Sequence, residues 1–396
     1  MLYKSLTATL LSTLSLAQVD LEITSNNKFE VKNAAFVNFG KWDDSEDFMI
    51  VSAFGPMSSG KVYVVPGVKE AVQAGDVSTL EAVELDTPSF AWPNNVDQVP
   101  FDVFNERAIL VPDGFLVPGK KDGGMFVTRI SADDITQTTE TVRIVAEKNN
   151  YFYHMGHWVD LNGDGRMDLI TARSNARAGK GELLWLEHPE GGLDSGEYWT
   201  EHVLGNMADV TFEVDTLAEY GSDVMVFAAQ FFDEQLSMHQ ISTVDGSLVN
   251  SKVIDDEYIL SAYGVSLVDL NSDGNRQLLV NNHETDDELD GVWAYSFPAD
   301  PFNDTWTRSA VATDFKNARS FTAPNMAPGF AYAVYPNGYT EGERAHIFVA
   351  GDGDHSAHVL YPTGDADVFE YEDNIFDDAK GTVGCLAFTD LDEDGW

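Results

Sequence analysis

Residues 160–168 carry oxygen-bearing side chains at the alternating spacing that a calcium-binding loop requires. Positions 1, 3, 5 and 9 of this stretch are Asp160, Asn162, Asp164 and Asp168. Position 6 is Gly165, which allows a sharp turn, and position 7 is Arg166, which would offer its backbone carbonyl. Calcium binds about six to eight hard oxygen atoms, and closely spaced carboxylates repel one another unless a cation lies between them. The stretch therefore predicts a calcium loop in preference to a solvated acidic turn.

The surroundings of this loop exclude an EF-hand. An EF-hand has helices on both sides and a bidentate Glu at position 12. Position 12 here is Thr171, and the flanking residues 156–159 and 169–172 are short apolar stretches typical of strands. The sequence thus predicts a calcium loop that joins two strands.

The acidic pattern occurs twice more along the chain. Positions 1, 3, 5 and 9 of the second copy are Asp269, Asn271, Asp273 and Gln277. Positions 1, 3 and 5 of the third copy are Asp390, Asp392 and Asp394. All these residues are candidate calcium ligands. Because Gln277 offers a neutral amide in place of a carboxylate, the second loop is expected to bind calcium more weakly than the first.

Strand-like segments surround each loop and recur about every 55 residues. Each unit has an apolar strand, a polar turn and a second apolar strand, followed by two further strand-like stretches. Four strands in a unit of this length are typical of a β-propeller blade. Units start near residues 36, 101, 157, 212, 266, 332 and 387. The sequence predicts an all-β, seven-bladed β-propeller over residues 18–396, with the seventh blade truncated. The alternative is two smaller β domains.

The loops, their strands and a Trp185, Pro189, Trp199 block together resemble FG-GAP/VCBS repeats, which form the propellers of integrin α-subunits. The resemblance covers most of residues 33–396 and is strongest at residues 160–168. It implies a propeller fold and calcium binding at three sites, since the other four units lack the acidic pattern. It implies no particular activity, because one fold supports many functions.

The N-terminus and the composition indicate a secreted protein. Residues 1–17 combine a basic start, an apolar run and a small-residue cleavage pattern, as a secretory signal peptide does. No later stretch is apolar over the length that a membrane span needs. The net charge of −43 disfavours nucleic acid and anionic lipid as partners. Cys385 is the only cysteine, so no intramolecular disulfide can form.

Five of the nine histidines fall in segments predicted to lie at the propeller mouth, opposite the calcium loops: His154, His157, His283, His355 and His358. Their two His-x-x-His pairs could hold a transition metal, although side chains at i and i+3 of one regular strand point to opposite faces. They could instead serve as general acids and bases, or be ordinary hydrogen-bonding loop residues. Aromatic, Asn and Asp groups in the same segments also suit a sugar.

Three functions are compatible with these patterns. The favoured one is a calcium-stabilised propeller without enzymatic activity, used for adhesion or for recognition of a glycan or an extracellular protein. The second is a carbohydrate-active enzyme of the lyase or dehydratase type, with histidines that transfer protons. The third is a structural module of a larger surface protein. No nucleophile motif, phosphate loop or dinucleotide fingerprint occurs, which favours the non-enzymatic hypothesis.

Overall fold

A computed structural model of the chain describes residues 29–42, 47–55, 58–114, 123–175, 178–284, 289–316, 326–365, 368–378 and 383–391. The predicted signal peptide at residues 1–17 lies outside these ranges. No helix within them is both long and apolar enough to cross a membrane. Contacts divide the chain into two compact units. The larger unit has residues 30–68 and 80–265, and the smaller unit contains residues 69–79 and the chain from 266 onward.

The larger unit contains four antiparallel sheets of four strands each, in which strands adjacent in sequence are hydrogen-bonded neighbours. The first sheet has β1 (Ala34–Lys41), β2 (Asp47–Gly55), β3 (Ser58–Val65) and β4 (Val83–Glu84). The second has β5 (Asp97–Gln98), β6 (Ala108–Pro112), β7 (Met125–Ile130) and β8 (Thr138–Arg143). The third has β9 (Phe152–Val159), β10 (Asp168–Asn175), β11 (Lys180–Glu187) and β12 (Thr200–Gly205). The fourth has β13 (Thr211–Thr216), β14 (Val224–Gln230), β15 (Gln235–Ile241) and β16 (Leu248–Asp255).

Two further four-stranded antiparallel sheets follow along the chain. The fifth sheet has β17 (Ala262–Val268), β18 (Gln277–Asn282), β19 (Gly291–Ser296) and β20 (Thr307–Thr313). The sixth has β21 (Ala331–Val334), β22 (His346–Ala350), β23 (Ser356–Pro362) and β24 (Tyr371–Asp378). Within the described ranges, helical structure is limited to α1 (Val68–Gln73), α2 (Phe101–Phe104) and three short 3-10 turns at Val77–Thr79, Gly192–Ser195 and Ala218–Tyr220.

The second strand of each sheet is the most deeply buried. Every residue of β6, β14, β18 and β22 is buried, which means that these strands are covered on both faces. Their sequences are rich in Val, Ile, Leu and Phe, which suit such positions. The fourth strands are mostly polar and exposed, as β16 shows. Each sheet therefore needs neighbours on two faces, as a propeller blade does.

The prediction of an all-β protein of the β-propeller class is confirmed, but the prediction of seven blades is wrong. Five predicted unit starts fall in the first strand of a sheet, and the start near residue 101 falls in α2, between the first two strands of the second sheet. The seventh, near residue 387, does not form a strand in the described part of the chain. Val383 forms an isolated bridge with Asp352, and residues 384–391 form no strand, although the Phe388 ring contacts Tyr332 of β21 at 5.4 Å.

Gly246, in the turn between β15 and β16, packs against Trp185, one of the two tryptophans of the predicted block. Its φ of +66° lies in the left-handed region, and a Cβ there would come within 2.3 Å of the Trp185 ring. The Trp185 Nε1 donates a hydrogen bond of 3.2 Å to the Gly246 carbonyl. The ring of His202 stacks on the other side of Trp185 at 3.9 Å. A glycine is therefore required by both conformation and space, and it lets the third sheet pack on the fourth.

We expect Gly246→Ala to lower the free energy of unfolding by about 2–4 kcal/mol, since left-handed strain and overlap with Trp185 add. Gly196→Ala is the matched control, because Gly196 has a φ of +69° but no atom within 4 Å of the added Cβ. It should cost only about 1 kcal/mol. Urea unfolding of both variants measures the difference, and equal losses would contradict the packing role of Gly246.

Candidate calcium loops and histidine clusters

The first acidic loop joins β9 to β10, and its position-1 carboxylate organises the turn. Asp160 Oδ1 accepts the backbone N–H of Gly163 at 2.8 Å and that of Asn162 at 3.3 Å. Asp160 Oδ2 accepts the N–H of Gly165 at 2.9 Å. One side chain thus satisfies three amides of a tight loop, as short Asp side chains do in turns.

The next two alternate side chains repeat this arrangement. Asn162 Oδ1 accepts the Asp164 N–H at 3.0 Å, and Asp164 Oδ1 accepts the Arg166 N–H at 2.9 Å. The Arg166 guanidinium pairs with the Asp164 carboxylate and donates from Nε to the His188 carbonyl at 2.9 Å. Arg166 was predicted to offer only its carbonyl, so this ion pair is a feature that the spacing did not reveal.

Asp168, at position 9, is fully buried and accepts two backbone amides. Its Oδ2 accepts the Leu161 N–H at 3.0 Å and its Oδ1 the His188 N–H at 2.8 Å. Burial raises the pKa of Asp168 to about 6, although these bonds lower it, and the charges of Asp164 and Asp160 raise it further. Asp168 therefore ties the loop to the third sheet, in addition to its predicted role as a ligand.

The oxygen atoms of this loop are of the chemical types that bind calcium. The loop has carboxylate, amide and carbonyl oxygens on a tight turn, and these are the ligands that calcium prefers. Among the residues that the structure describes, no three His, Cys, Asp or Glu side chains are grouped to hold a metal ion. Calcium at this loop would therefore need the amide oxygen of Asn162 and backbone carbonyls as well as carboxylates.

The second loop joins β17 to β18 and repeats these turns. Asp269 accepts the N–H groups of Asp273 at 3.2 Å and Gly274 at 2.7 Å. Gln277 Oε1 accepts the Leu270 N–H at 2.9 Å, the same bond that Asp168 makes to Leu161. In the third predicted loop, Asp390 lies in a segment without regular secondary structure. Asp392 and Asp394 lie outside the described residues.

Two of the predicted mouth histidines lie in the larger unit, each against a different strand. The His154 ring contacts Phe36 of β1 edge-on at 5.4 Å, and the His157 ring contacts Phe212 of β13 at 5.3 Å. Burial lowers the pKa of His154 to about 3, and it lowers the pKa of His157 despite a bond to the backbone of Phe212. The neutral form of both rings is therefore favoured, and each ring packs against a different strand.

The other three histidines lie with aspartates in the smaller unit. His283 Nδ1 is 2.8 Å from the Pro328 carbonyl, and its Nε2 is 3.6 Å from Asp352 Oδ2. The backbone N–H of His355 donates to the Asp352 carbonyl at 2.9 Å. Burial lowers the pKa of His283 and raises that of Asp352, while each opposes the shift of the other by its charge. We call the side chains of His283 and Asp352 the His283–Asp352 cluster.

His358 lies on β23, and its surroundings shift its pKa in the opposite direction to that of His283. Its Nδ1 is 3.0 Å from both oxygens of Asp373, and its Nε2 is 3.5 Å from Asp354 Oδ1. Burial alone would lower the pKa of His358, but the bonds and charges of Asp354 and Asp373 raise it to about 9. The ring is only 3% exposed and packs against Phe315 at 5.2 Å. His358 is therefore a buried cation at neutral pH.

Some charged residues of the interior have no signal in the sequence. Arg173 on β10 is 1% exposed and binds Glu182 at 2.7 Å and Glu201 at 2.6 Å. Glu213 on β13 was not anticipated; burial raises its pKa to about 7, with a further contribution from the charge of Asp215. Only the register of the strands could identify the partner of Arg173, which lies directly opposite Glu182 in the ladder.

These sheets and sites define the class of the protein, a β-propeller. No protein-family model and no curated protein matches the sequence. Among solved structures, the chain is similar to a provisionally named 6-phosphogluconolactonase from Bacteroides uniformis. The two are 14% identical, with a TM-score of 0.50 over 85% of this chain and 84% of that one. It is also similar to the periplasmic gluconolactonase of Pseudomonas aeruginosa, at 11% identity and a TM-score of 0.51 over 85% and 83%. At these identities the likeness shows the fold.

The His358 site predicts a pH dependence of stability. A pKa raised from 6.5 to about 9 means that His358 stabilises the fold fully below pH 6.5, and that this contribution is lost as pH rises through 9. We expect the unfolding free energy of the parent to exceed that of His358→Gln by about 2 kcal/mol more at pH 6 than at pH 10. Denaturant unfolding at both pH values measures this.

His157→Gln is the control, because burial lowers the pKa of His157 and leaves it neutral throughout this alkaline range. The difference between this variant and the parent should be constant from pH 8 to pH 10. A pH-independent difference for His358→Gln as well would show that His358 is not a buried cation.

Proposed function

We propose that this protein is a secreted, calcium-binding β-propeller of the FG-GAP/VCBS type that recognises a glycan or an extracellular protein. The observation that carries the proposal is the loop at residues 160–168. Its alternate side chains, Asp160, Asn162 and Asp164, each accept amides of the same turn. A loop held in this form has its turn ordered before any cation arrives, which favours binding because little ordering remains to be done.

Calcium at this loop would act on the fold as a whole. The loop connects β9 to β10, and β10 is the most deeply buried strand of the third sheet. Without a cation, the charges of Asp160 and Asp164 repel each other on a short turn, and Arg166 offsets one of them. A cation that binds only the native state adds stability that depends on its concentration.

The charge of the chain supports an extracellular setting and limits its ligands. A net charge of −43 repels polyanions, so the proposed ligand is a neutral or cationic group, such as an uncharged glycan or a basic protein surface. The apolar N-terminal run supports export, and the single cysteine leaves calcium and core packing as stabilisers.

The His283–Asp352 cluster supports a second candidate, a carbohydrate-active enzyme with acid–base chemistry. The side chains of His283 and Asp352 are 12% and 21% exposed, so water can reach them. Their pKa values shift toward the neutral forms, whereas His358 nearby in sequence is held as a cation. Titratable groups whose pKa values are shifted in different directions by their surroundings are typical of acid–base sites. His283 would serve as the base and Asp352 as its acid partner.

A glycan array with and without calcium, on the parent and on His283→Gln, separates the two candidates. A recognition propeller should bind the same glycans in both proteins, and binding should weaken when calcium is removed. The enzyme should instead turn over uncharged oligosaccharides or sugar lactones, the latter because proteins of the same fold are named gluconolactonases. Turnover in the parent that falls at least about tenfold in His283→Gln would replace recognition by catalysis as the function.

Calcium should raise the melting temperature of the full chain, by an amount that reaches about 2.7 kcal/mol of stability at a hundredfold excess over Kd. Asp164→Ala should remove most of this effect, because it deletes a charged central ligand. Gln277→Ala, which deletes a neutral amide in the second loop, should retain it. Melting curves in calcium and in chelator, with calorimetry for affinity, provide the measurement. No calcium effect in the parent, with no bound calcium by elemental analysis, would refute the proposal.

A further inference from the structure

The second acidic loop is covered by another segment of the smaller unit, residues 335–345, which join β21 to β22. The Gly342 N–H donates to the Ser272 carbonyl at 3.0 Å, and the Ala345 N–H donates to the Leu270 carbonyl at 2.9 Å. The Tyr335 hydroxyl donates to the Asp269 carbonyl at 3.0 Å. We call residues 335–345 the latch segment. It bonds to the backbone of the loop at three points.

The latch segment also occupies the oxygens that were predicted to bind calcium. The Tyr339 hydroxyl donates to Asp269 Oδ2 at 2.5 Å, and the same oxygen accepts the Gly274 N–H at 2.7 Å. Arg344 Nε donates to Asn271 Oδ1 at 3.2 Å. Positions 1 and 3 of the loop therefore face a hydroxyl donor and a guanidinium cation.

Arg344 is held in place by more than the loop. Its Nη1 donates to the Thr363 carbonyl at 2.8 Å and its Nη2 to the Glu370 carbonyl at 3.2 Å. The guanidinium also lies over the Tyr371 ring, 4.8 Å from its centroid. A cation fixed by two carbonyls and an aromatic face cannot leave Asn271 without losing these contacts.

Position 9 offers no free carboxylate either. Gln277 Oε1 accepts the Leu270 N–H, and its Nε2 donates to the Asn275 carbonyl at 2.6 Å. The first loop differs at positions 1 and 3. In the described part of the chain, the side-chain oxygens of Asp160 and Asn162 accept only amides of their own loop. The second loop thus has the turn of a calcium loop but not its available donors.

We propose that Arg344 and Tyr339 do in residues 269–277 what calcium does in residues 160–168, so that the second loop is closed by the chain itself and binds no calcium. The comparison with residues 160–168 rests on the proposed function, but the closure by Arg344 does not. The predicted ligand set Asp269, Asn271, Asp273 and Gln277 is thereby reassigned from metal binding to an internal contact between the fifth and sixth sheets.

Two matched pairs of variants of the full chain test this inference. The first pair compares Asp164→Asn with Asp273→Asn, the same position in each loop, by calcium calorimetry after treatment with chelator. Both variants keep an oxygen for the following amide, so each turn is retained. Asp273→Asn should leave the number of bound calcium ions and their affinity within about twofold of the parent. Loss of a bound calcium ion in Asp273→Asn would overturn the inference.

The second pair compares Arg344→Met with Arg276→Met by thermal melting in chelator. Arg276 belongs to the same loop, and its guanidinium lies over the Phe297 ring. Arg344→Met should lower the melting temperature by about 3–6 °C more than Arg276→Met, with the same loss when calcium is present. An Arg344→Met protein that melts as Arg276→Met does would overturn the inference. This outcome is independent of whether the first loop binds calcium, so the two proposals can fail separately.

Discussion

Burial of the second strand of every sheet on both faces is the constraint on which the rest of the structure depends. A strand such as β14 or β18 exposes no residue to water, so its sheet is stable only when other sheets cover it on each side. This explains why the repeat recurs along the chain and why residues such as Trp185 and Gly246 connect neighbouring sheets. It also explains why polar side chains concentrate in the loops, where they satisfy backbone amides at the strand ends.

Both described acidic loops depend on one bond that a metal does not supply. The position-9 side chain, Asp168 or Gln277, accepts the N–H of the apolar residue at position 2. That residue, Leu161 or Leu270, is fully buried, so the bond places a core side chain and satisfies its amide together. Because this role needs an oxygen acceptor and no charge, Gln can replace Asp at position 9. The loop turn is therefore retained in the second copy, whatever cation completes it.

Much of this could be predicted from sequence, because strand periodicity and loop chemistry are local properties. The propeller class, five of the unit starts and the turn at residues 160–168 all follow from such patterns. The seventh blade did not, because the described residues 384–391 have a strand-like pattern but form no strand. Nor could spacing show that Arg344 reaches Asn271, because the two are 73 residues apart in sequence. The environments of His154 and His358 likewise depend on neighbours from other strands, which periodicity cannot identify.

Basic residues are scarce in this chain, and those in the interior share their charge among several acceptors. The chain has 66 acidic and 23 basic residues, and three of its buried or half-buried cations each contact more than one carboxylate. Arg129 contacts Glu106, Glu140 and Asp194; Arg173 contacts Glu182 and Glu201; and His358 contacts Asp354 and Asp373. Such shared cations relieve repulsion that a net charge of −43 would otherwise impose on the compact state. Arg344 fits the same pattern at the second loop. At residues 160–168, Arg166 offsets Asp164 alone, whereas Asp160 and Asp168 accept backbone amides, so the chain's own cations leave more of the repulsion in that loop unrelieved.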